Sequence, residues 1–271
     1  MRDRRDPTAL FDRLRECGRV VLHGSEEDRR DAVGAAWRPG EVISAATNDE
    51  AAAINARIRA LRVASGAVAD AATVTAADGM SVGVGDIIQA RRNDGTLGVA
   101  NQENFTVQQI DTDGTVWAAA RRDGQNATRT VRIPASYVGK DVQLGYASTA
   151  YGVQGVTAAS AHTVLEPSTS GAGIYVGMTR GRQSNTLHIV GATTADAREQ
   201  FINVLERDRA DRGLAAATRD AREAGRDLAP SQKPRPIPPR GVARSTHAAQ
   251  LADFRRGHDE PSRLSAHGLG L

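Results

Sequence analysis

The sequence predicts an α/β fold, a parallel sheet flanked by helices, with a small β-barrel set between its two halves. Three observations carry that reading. Residues 41–66 run strand, cap, helix with almost no loop between them, the order of an α/β sheet. Residues 78–137 break instead into four or five short strands separated by Asn-Asp-Gly and Asp-Gly turns. From Leu144 the chain returns to apolar runs framed by glycine-rich polar segments.

Composition bounds the rest. The 271 residues are 40% hydrophobic, 4% aromatic and 25% charged, so a core of Ala, Val, Ile and Leu is expected. The net charge of +3 comes from the end of the chain, acids and bases being matched up to residue 195. Any nucleic-acid site must therefore be local. One cysteine, Cys17, excludes a disulfide framework and a multi-cysteine metal site. There is no apolar run of membrane-spanning length and no signal-like N-terminus, so a cytoplasmic protein with no membrane partner is expected.

Taken in order, residues 7–16 space Leu10, Phe11 and Leu14 on one helical face, with Pro7 in the first turn. Residues 19–23 read as a strand, and 25–37 as a helix opened by Ser25 and three acids. Glu41–Ala46 is a buried strand. Thr47-Asn-Asp-Glu50 then has the capping-box form, hydroxyl and carboxylate each serving a free backbone N–H. Ile54, Ile58 and Leu61 share a face of the helix that follows, and Gly66 supplies its left-handed end. Strands are expected at 82–90, 104–110, 115–119 and 128–133. A strand at 185–190 precedes a helix at 194–209 with Phe201, Ile202 and Leu205 inward, and a second helix at 214–224. Beyond Leu228 the prolines and the lack of large apolar residues predict a disordered tail.

The chemistry gathers between Leu144 and Val190. Ser148-Thr-Ala-Tyr-Gly-Val-Gln-Gly155 resembles motif V of superfamily-1 helicases, T-x-H-K-x-Q-G. Tyr175-Val-Gly-Met-Thr-Arg-Gly-Arg182 resembles motif VI, Y-V-A-x-T-R-A-R, which carries the arginine finger. Thr47, Asn48 and Asn55 match the T-N-x-x-x-x-x-x-N that opens the second RecA-like domain of the RecD-like branch. The set is most similar to the helicase part of TraA/TrwC-type conjugative relaxases. The sequence departs from motif V at Tyr151-Gly152, where His-Lys is usual, and Val156-Thr157 replaces the glutamate that often follows the Gln-Gly pair.

The resemblance implies a RecA-like second helicase domain from residues 1–77 and 138–195. An SH3-like β-barrel is inserted at 78–137, helices follow at 196–227 and a tail at 228–271. It implies that Arg180 is the catalytic finger, offsetting charge on a transferring phosphoryl group, an effect of roughly 10³–10⁵ in rate. Arg182, Gln154 and Gly155 would meet ATP; Thr149, Tyr151, Thr47 and Asn48 would meet single-stranded DNA. A plain surface reading exists beside each: a helix-capping arginine, a tight turn, a helix cap. Arg91 and Arg92 form a charged hairpin that is solvated or touches nucleic acid.

ATP and Mg²⁺ in this superfamily are gripped by G-x-x-x-x-G-K-[ST] and acidic residues. No such loop is present; the two lysines are Lys140 and Lys233. The expectation is a C-terminal motor half that needs an N-terminal Walker half and does not hydrolyse ATP alone. The alternative is a remnant that binds DNA or protein without catalysis.

Overall fold

The computed structural model describes residues 6–120 and 129–207. Asp6 caps helix α1 (Pro7–Glu16), accepting from the Thr8 N–H at 2.9 Å. Strand β1 (Val20–His23) leads to α2 (Glu26–Ala36), whose first turn is closed by the Ser25 hydroxyl. Strand β2 (Val42–Ala45) feeds α3 (Asn48–Ala64), capped by Thr47 and left through Gly66 at φ +73°. Seven short elements follow: β3 (Thr73–Thr75), β4 (Ser81–Gly83), β5 (Ile87–Ala90), β6 (Asn104–Ile110), β7 (Val116–Ala120), β8 (Thr130–Ile133) and α4 (Ala135–Asp141). Then come β9 (Val142–Leu144), β10 (Ala147–Thr149), β11 (Ala158–Leu165), α5 (Gly171–Gly177) and β12 (Gly181–Val190). A last helix, α6, occupies residues 194–207.

Five strands pair in parallel in the order β1-β12-β11-β2-β10. Alternation along β11 shows how both faces are covered. Val164 joins Ile43, Ala45 and the α2/α3 residues Val33, Trp37, Ile54 and Ile58. Its neighbour Leu165 faces the other way, with Leu187, Ile189, Phe11 of α1, Ile174 of α5 and Phe201 of α6. Phe11 and Phe201 stack tilted at 5.6 Å. In α6 the deeply buried set is Ala197, Phe201 and Val204. Val204 holds the place expected of Ile202 and Leu205, which are half-buried, because the 197, 201, 204 spacing keeps one face. Leu61 is 38% exposed, so the α3 stripe ends at Ile58.

The middle of the chain is an antiparallel sheet in the order β8-β7-β6-β5-β9, with the β3–β4 hairpin beside it. The expected strand over 82–90 is two, because Gly85 turns the chain at φ +95° and sends Asp86 inward. Hairpin β3–β4 begins before residue 78, and α4 and β9 were not legible in the sequence. The expected helix at 214–224 and the proline-rich tail lie outside the described residues.

Only Gly145 and Tyr146 separate β9 in the antiparallel sheet from β10 in the parallel one. Such a short link leaves backbone groups that neither ladder can serve, and Asn55 of α3 serves them. Its Nδ2 donates to the carbonyls of Leu144 (3.0 Å) and Ala147 (3.1 Å), and its Oδ1 accepts from the Ala147 N–H at 2.7 Å. Tyr146 is fixed as firmly: its hydroxyl donates to the fully buried Asp86, which also accepts from Arg59 and the Gly83 N–H. Its ring meets Trp37 edge-on at 5.1 Å, and the Arg62 guanidinium covers both. Burial beside the Asp86 carboxylate raises the Tyr146 phenol well above its ordinary value. No described helix is long and apolar enough to cross a membrane.

Candidate functional site

Thr47 lies two residues past the end of β2 and Thr149 ends the adjacent strand β10, with Thr149 in register with Ala45. The segments expected to meet nucleic acid thus leave the same carboxyl edge of the sheet, where open α/β folds place their ligands. Thr47 spends its hydroxyl on the cap, accepting from the Glu50 N–H at 3.2 Å, while Asn48 is exposed. The capping box is only half formed. The Glu50 carboxylate turns inward, to Arg29 at 2.9 Å and Arg30 at 2.5 Å, because Arg29 is 2% exposed and a buried guanidinium must be paired. Arg29 also reaches the Leu165 carbonyl and Glu166. Burial, with Glu50 next to it, raises the Glu166 carboxyl above its ordinary value.

After Thr149 the chain makes a tight turn rather than a helix. The Thr149 hydroxyl accepts from the Gly152 N–H at 3.3 Å, and its carbonyl from Val153 at 3.0 Å. Val153 is buried, whereas Gln154 and Gly155 are exposed, Gly155 at φ +83°. Tyr151 is 71% exposed. The departure from motif V has a steric counterpart here. A Cβ on Gly152 would stand 1.9 Å from the Ser148 hydroxyl, so a lysine at that position would displace Ser148.

Arg180 closes the end of α5. Its Nε donates to the Val176 carbonyl (2.9 Å), Nη2 to the Thr179 hydroxyl (3.0 Å) and Nη1 to the Val156 carbonyl (3.3 Å). The Val176 carbonyl is a helix-end group of the kind a C-terminal arginine ordinarily satisfies, and the Thr179 hydroxyl itself donates to the Tyr175 and Val176 carbonyls. The Val156 carbonyl belongs to the loop that carries Gln154, so the structure brings Arg180 and the 148–156 segment together. Arg182 is exposed on β12, and no bond joins it to that segment among the described residues. Helix α5 lies close on β11 because residue 177 is glycine: a Cβ there would come within 2.4 Å of the Thr163 hydroxyl.

Two clefts border these segments. A groove of about 580 Å³ separates the 94–103 stretch from the 152–156 turn and is lined by Gln154, Gly155, Asp94, Glu103 and Arg129. Arg129 pairs with Glu103 at 2.7 Å, leaving Asp94 to set the local charge. A smaller cleft, about 120 Å³, lies between the first turn of α3 and strands β5 and β9. Arg91 lines it; Arg92 pairs with Asp141 at 3.5 Å.

Under α2, three histidines on neighbouring strands form a diagonal row. The His23 Nε2 and His188 Nδ1 are 3.0 Å apart, as are the His188 Nε2 and His162 Nδ1, and His162 stands 3.5 Å from Glu41. Burial and the two flanking imidazoles push His188 down to about 3, and burial beside Arg29 lowers His23. No cluster of three or more His, Cys, Asp or Glu among the described residues suits a metal ion.

Tyr175, which begins the motif VI-like segment, is 68% exposed on α5.

No protein-family model matches the sequence. Two uncharacterised proteins of Mycobacterium tuberculosis, from strains CDC 1551 and H37Rv, are 37% identical to it over 98 residues, 36% of this chain and 55% of each relative. Among solved structures, Pif1 helicase from Bacteroides in complex with ADP-AlF3 and ssDNA is similar with a TM-score of 0.41 and 12% identity, covering 73% of this chain and 52% of that one. Pif1 helicase from Candida albicans is similar with a TM-score of 0.42 and 12% identity, covering 70% and 54%. The chain spans about half the length of all of these proteins.

Proposed function

We propose that this chain is the second motor domain of a superfamily-1 DNA helicase, of the RecD-like branch and the conjugative relaxase–helicase type. Its antiparallel sheet stands where that branch carries an SH3-like barrel. The reading rests on the two motif-like segments and on one observation above all. Arg180 bonds the carbonyl of Val156, the residue that follows the segment resembling motif V, and so ties the segment resembling motif VI to its end. Thr47, Asn48, Thr149 and Tyr151 form the single-stranded DNA track at the carboxyl edge; Gln154, Gly155, Arg180 and Arg182 face the nucleotide.

The residues present do not fit a complete ATP and Mg²⁺ site. No lysine follows a glycine-rich loop, and no acidic cluster suits a metal among the described residues. The chain's own part is a guanidinium beside a Gln-Gly turn, and a Walker-bearing half on another segment or another chain must grip the triphosphate. ATPase and strand separation are measured with this chain alone, with a Walker-bearing half, and with both. Activity only in the mixture, lost with Arg180→Ala, supports the motor; an unchanged mixture with Arg180→Ala removes the finger. For the track, Tyr151→Ala weakens single-strand binding about 5- to 100-fold, the worth of one stacked base, with no loss of stability.

A non-catalytic binder of DNA or protein is the second reading. It is favoured by the three acceptors already bonded to Arg180 and by the Tyr151-Gly152 departure. Single-strand binding that persists while no mixture hydrolyses ATP selects it.

A further inference from the structure

The cleft between α3 and strands β5 and β9 has a lining unlike that of a phosphate site. Among the described residues, its unbonded polar side chains are two amides, Asn48 and Gln143, and the rim carboxylate of Asp49. The other two amides in its wall are committed. Asn55 is held by the backbone of Leu144 and Ala147, and the Gln89 carbonyl oxygen accepts from both Arg91 and the Ser148 hydroxyl. Asp49 and Asp78 stand at the exposed rim against the single guanidinium of Arg91. Two carboxylates to one cation repel a phosphate, whereas they accept from an exocyclic amine. An amide, with donor and acceptor side by side, matches the N6/N7 edge of adenine, and a carboxylate matches the amine of cytosine. The volume, about 120 Å³, holds about eight water-sized spheres, room for one planar base.

We propose that this cleft takes one amino-bearing base, adenine or cytosine, splayed from a single strand that runs along the Thr47–Tyr151 edge. The inference rests on the single-strand reading above and adds to it a base preference, with Gln143 and Asn48 reading the edge. Asn48 belongs to both sites and links them. Unstacked single-strand bases are the ones whose edges side chains can read in this way.

The test is fluorescence anisotropy of labelled dA, dC and dT oligonucleotides of equal length with the full chain at fixed salt. The dA and dC strands are expected to bind about five-fold tighter than dT, the lower end of what one good edge contact discriminates. Gln143→Ala is expected to bring dA and dC down to the dT affinity while leaving dT binding unchanged. Asp49→Asn, on an exposed first turn, is the second variant should Gln143→Ala fail to fold, and it weakens the preference for dC most. Equal binding of all three strands overturns the base-reading site and leaves the single-strand track standing. A preference that survives both variants overturns the assignment to this cleft. Absence of binding by every strand removes the track itself, and this inference with it.

Discussion

The Arg180 guanidinium and the Val156 carbonyl, 3.3 Å apart, join two segments separated by a whole strand crossover. The bond fixes the exit of the Gln154 turn to the end of α5. The Ala158 N–H donates to the Arg180 carbonyl at 2.9 Å and reinforces the same seam. Arg180→Ala in the isolated chain is therefore expected to loosen residues 150–156 before it unfolds anything. Amide exchange at Val153, Gln154 and Val156 should quicken about 10- to 150-fold, the worth of one hydrogen bond to a charged group, with the strand amides of β11 unchanged. Arg180→Lys should restore little of this, since an ammonium cannot reach Val176 and Val156 together. Unchanged exchange in the turn would show that the bond is idle in solution.

The histidine row makes stability depend on acidity in a defined window. The folded chain keeps His188 neutral down to about pH 3, whereas the unfolded chain protonates it near its ordinary value. Between those limits the unfolded state binds more protons, so this stabilisation is complete above about pH 6.5 and is lost as pH falls. His23, also lowered, acts in the same direction. The expected slope is about 1.4 kcal/mol per pH unit at most from His188. Urea unfolding of the chain at pH 7, 5.5 and 4.5, beside His188→Leu, measures it: the variant should show the shallower dependence. Equal slopes would place the acid sensitivity elsewhere.

What the sequence reveals follows from what is local. Caps, helix faces and the strand beside a cap depend on near neighbours, so Ser25, Thr47 and the Ile54/Ile58 stripe were legible. The two motif-like segments were legible because each is contiguous. The Asn55 bridge to Leu144 and Ala147 and the His23–His188–His162 row join residues 26 to 165 positions apart, and periodicity carries no trace of such pairs. Glu50 shows how local grammar is overruled. Its position fits a capping box, yet buried Arg29 draws it inward. Strand β9 was hidden in a helical context because three residues are too few to show alternation.

The contact of α5 with β11 gives a steric prediction. A Cβ at residue 177 meets the Thr163 hydroxyl at 2.4 Å, the Thr163 methyl at 2.9 Å and the Ser44 Cβ at 3.1 Å. Thr163 is buried and its hydroxyl has no partner, so Gly177→Ala, which matches the usual motif VI residue, forces an overpacked seam. The expected cost is about 1–3 kcal/mol in urea unfolding. Adding Thr163→Ala removes both close atoms and should recover most of that loss, a coupling that independent sites would not show.

Glu50 and Thr47 separate the two halves of the helix start. Thr47→Ala removes one capping bond and should cost about 1 kcal/mol. Glu50→Ala leaves the Arg29 guanidinium buried, with the Leu165 carbonyl and the 3.5 Å contact to Glu166 as its remaining partners, and should cost about 3–5 kcal/mol. Glu50→Gln keeps the shape and an acceptor but not the charge, and should fall between them. Were the carboxylate acting as a capping-box partner instead, Glu50→Ala and Thr47→Ala would cost about the same, and the cost of Arg29→Met would not depend on Glu50. The double variant Arg29→Met with Glu50→Leu decides between the two accounts. If the buried ion pair is what Glu50 serves, replacing both partners by apolar groups of similar size should recover much of the single-variant loss, because both deeply buried charges of the pair leave together and Glu166, at 3.5 Å from Arg29, loses a partner.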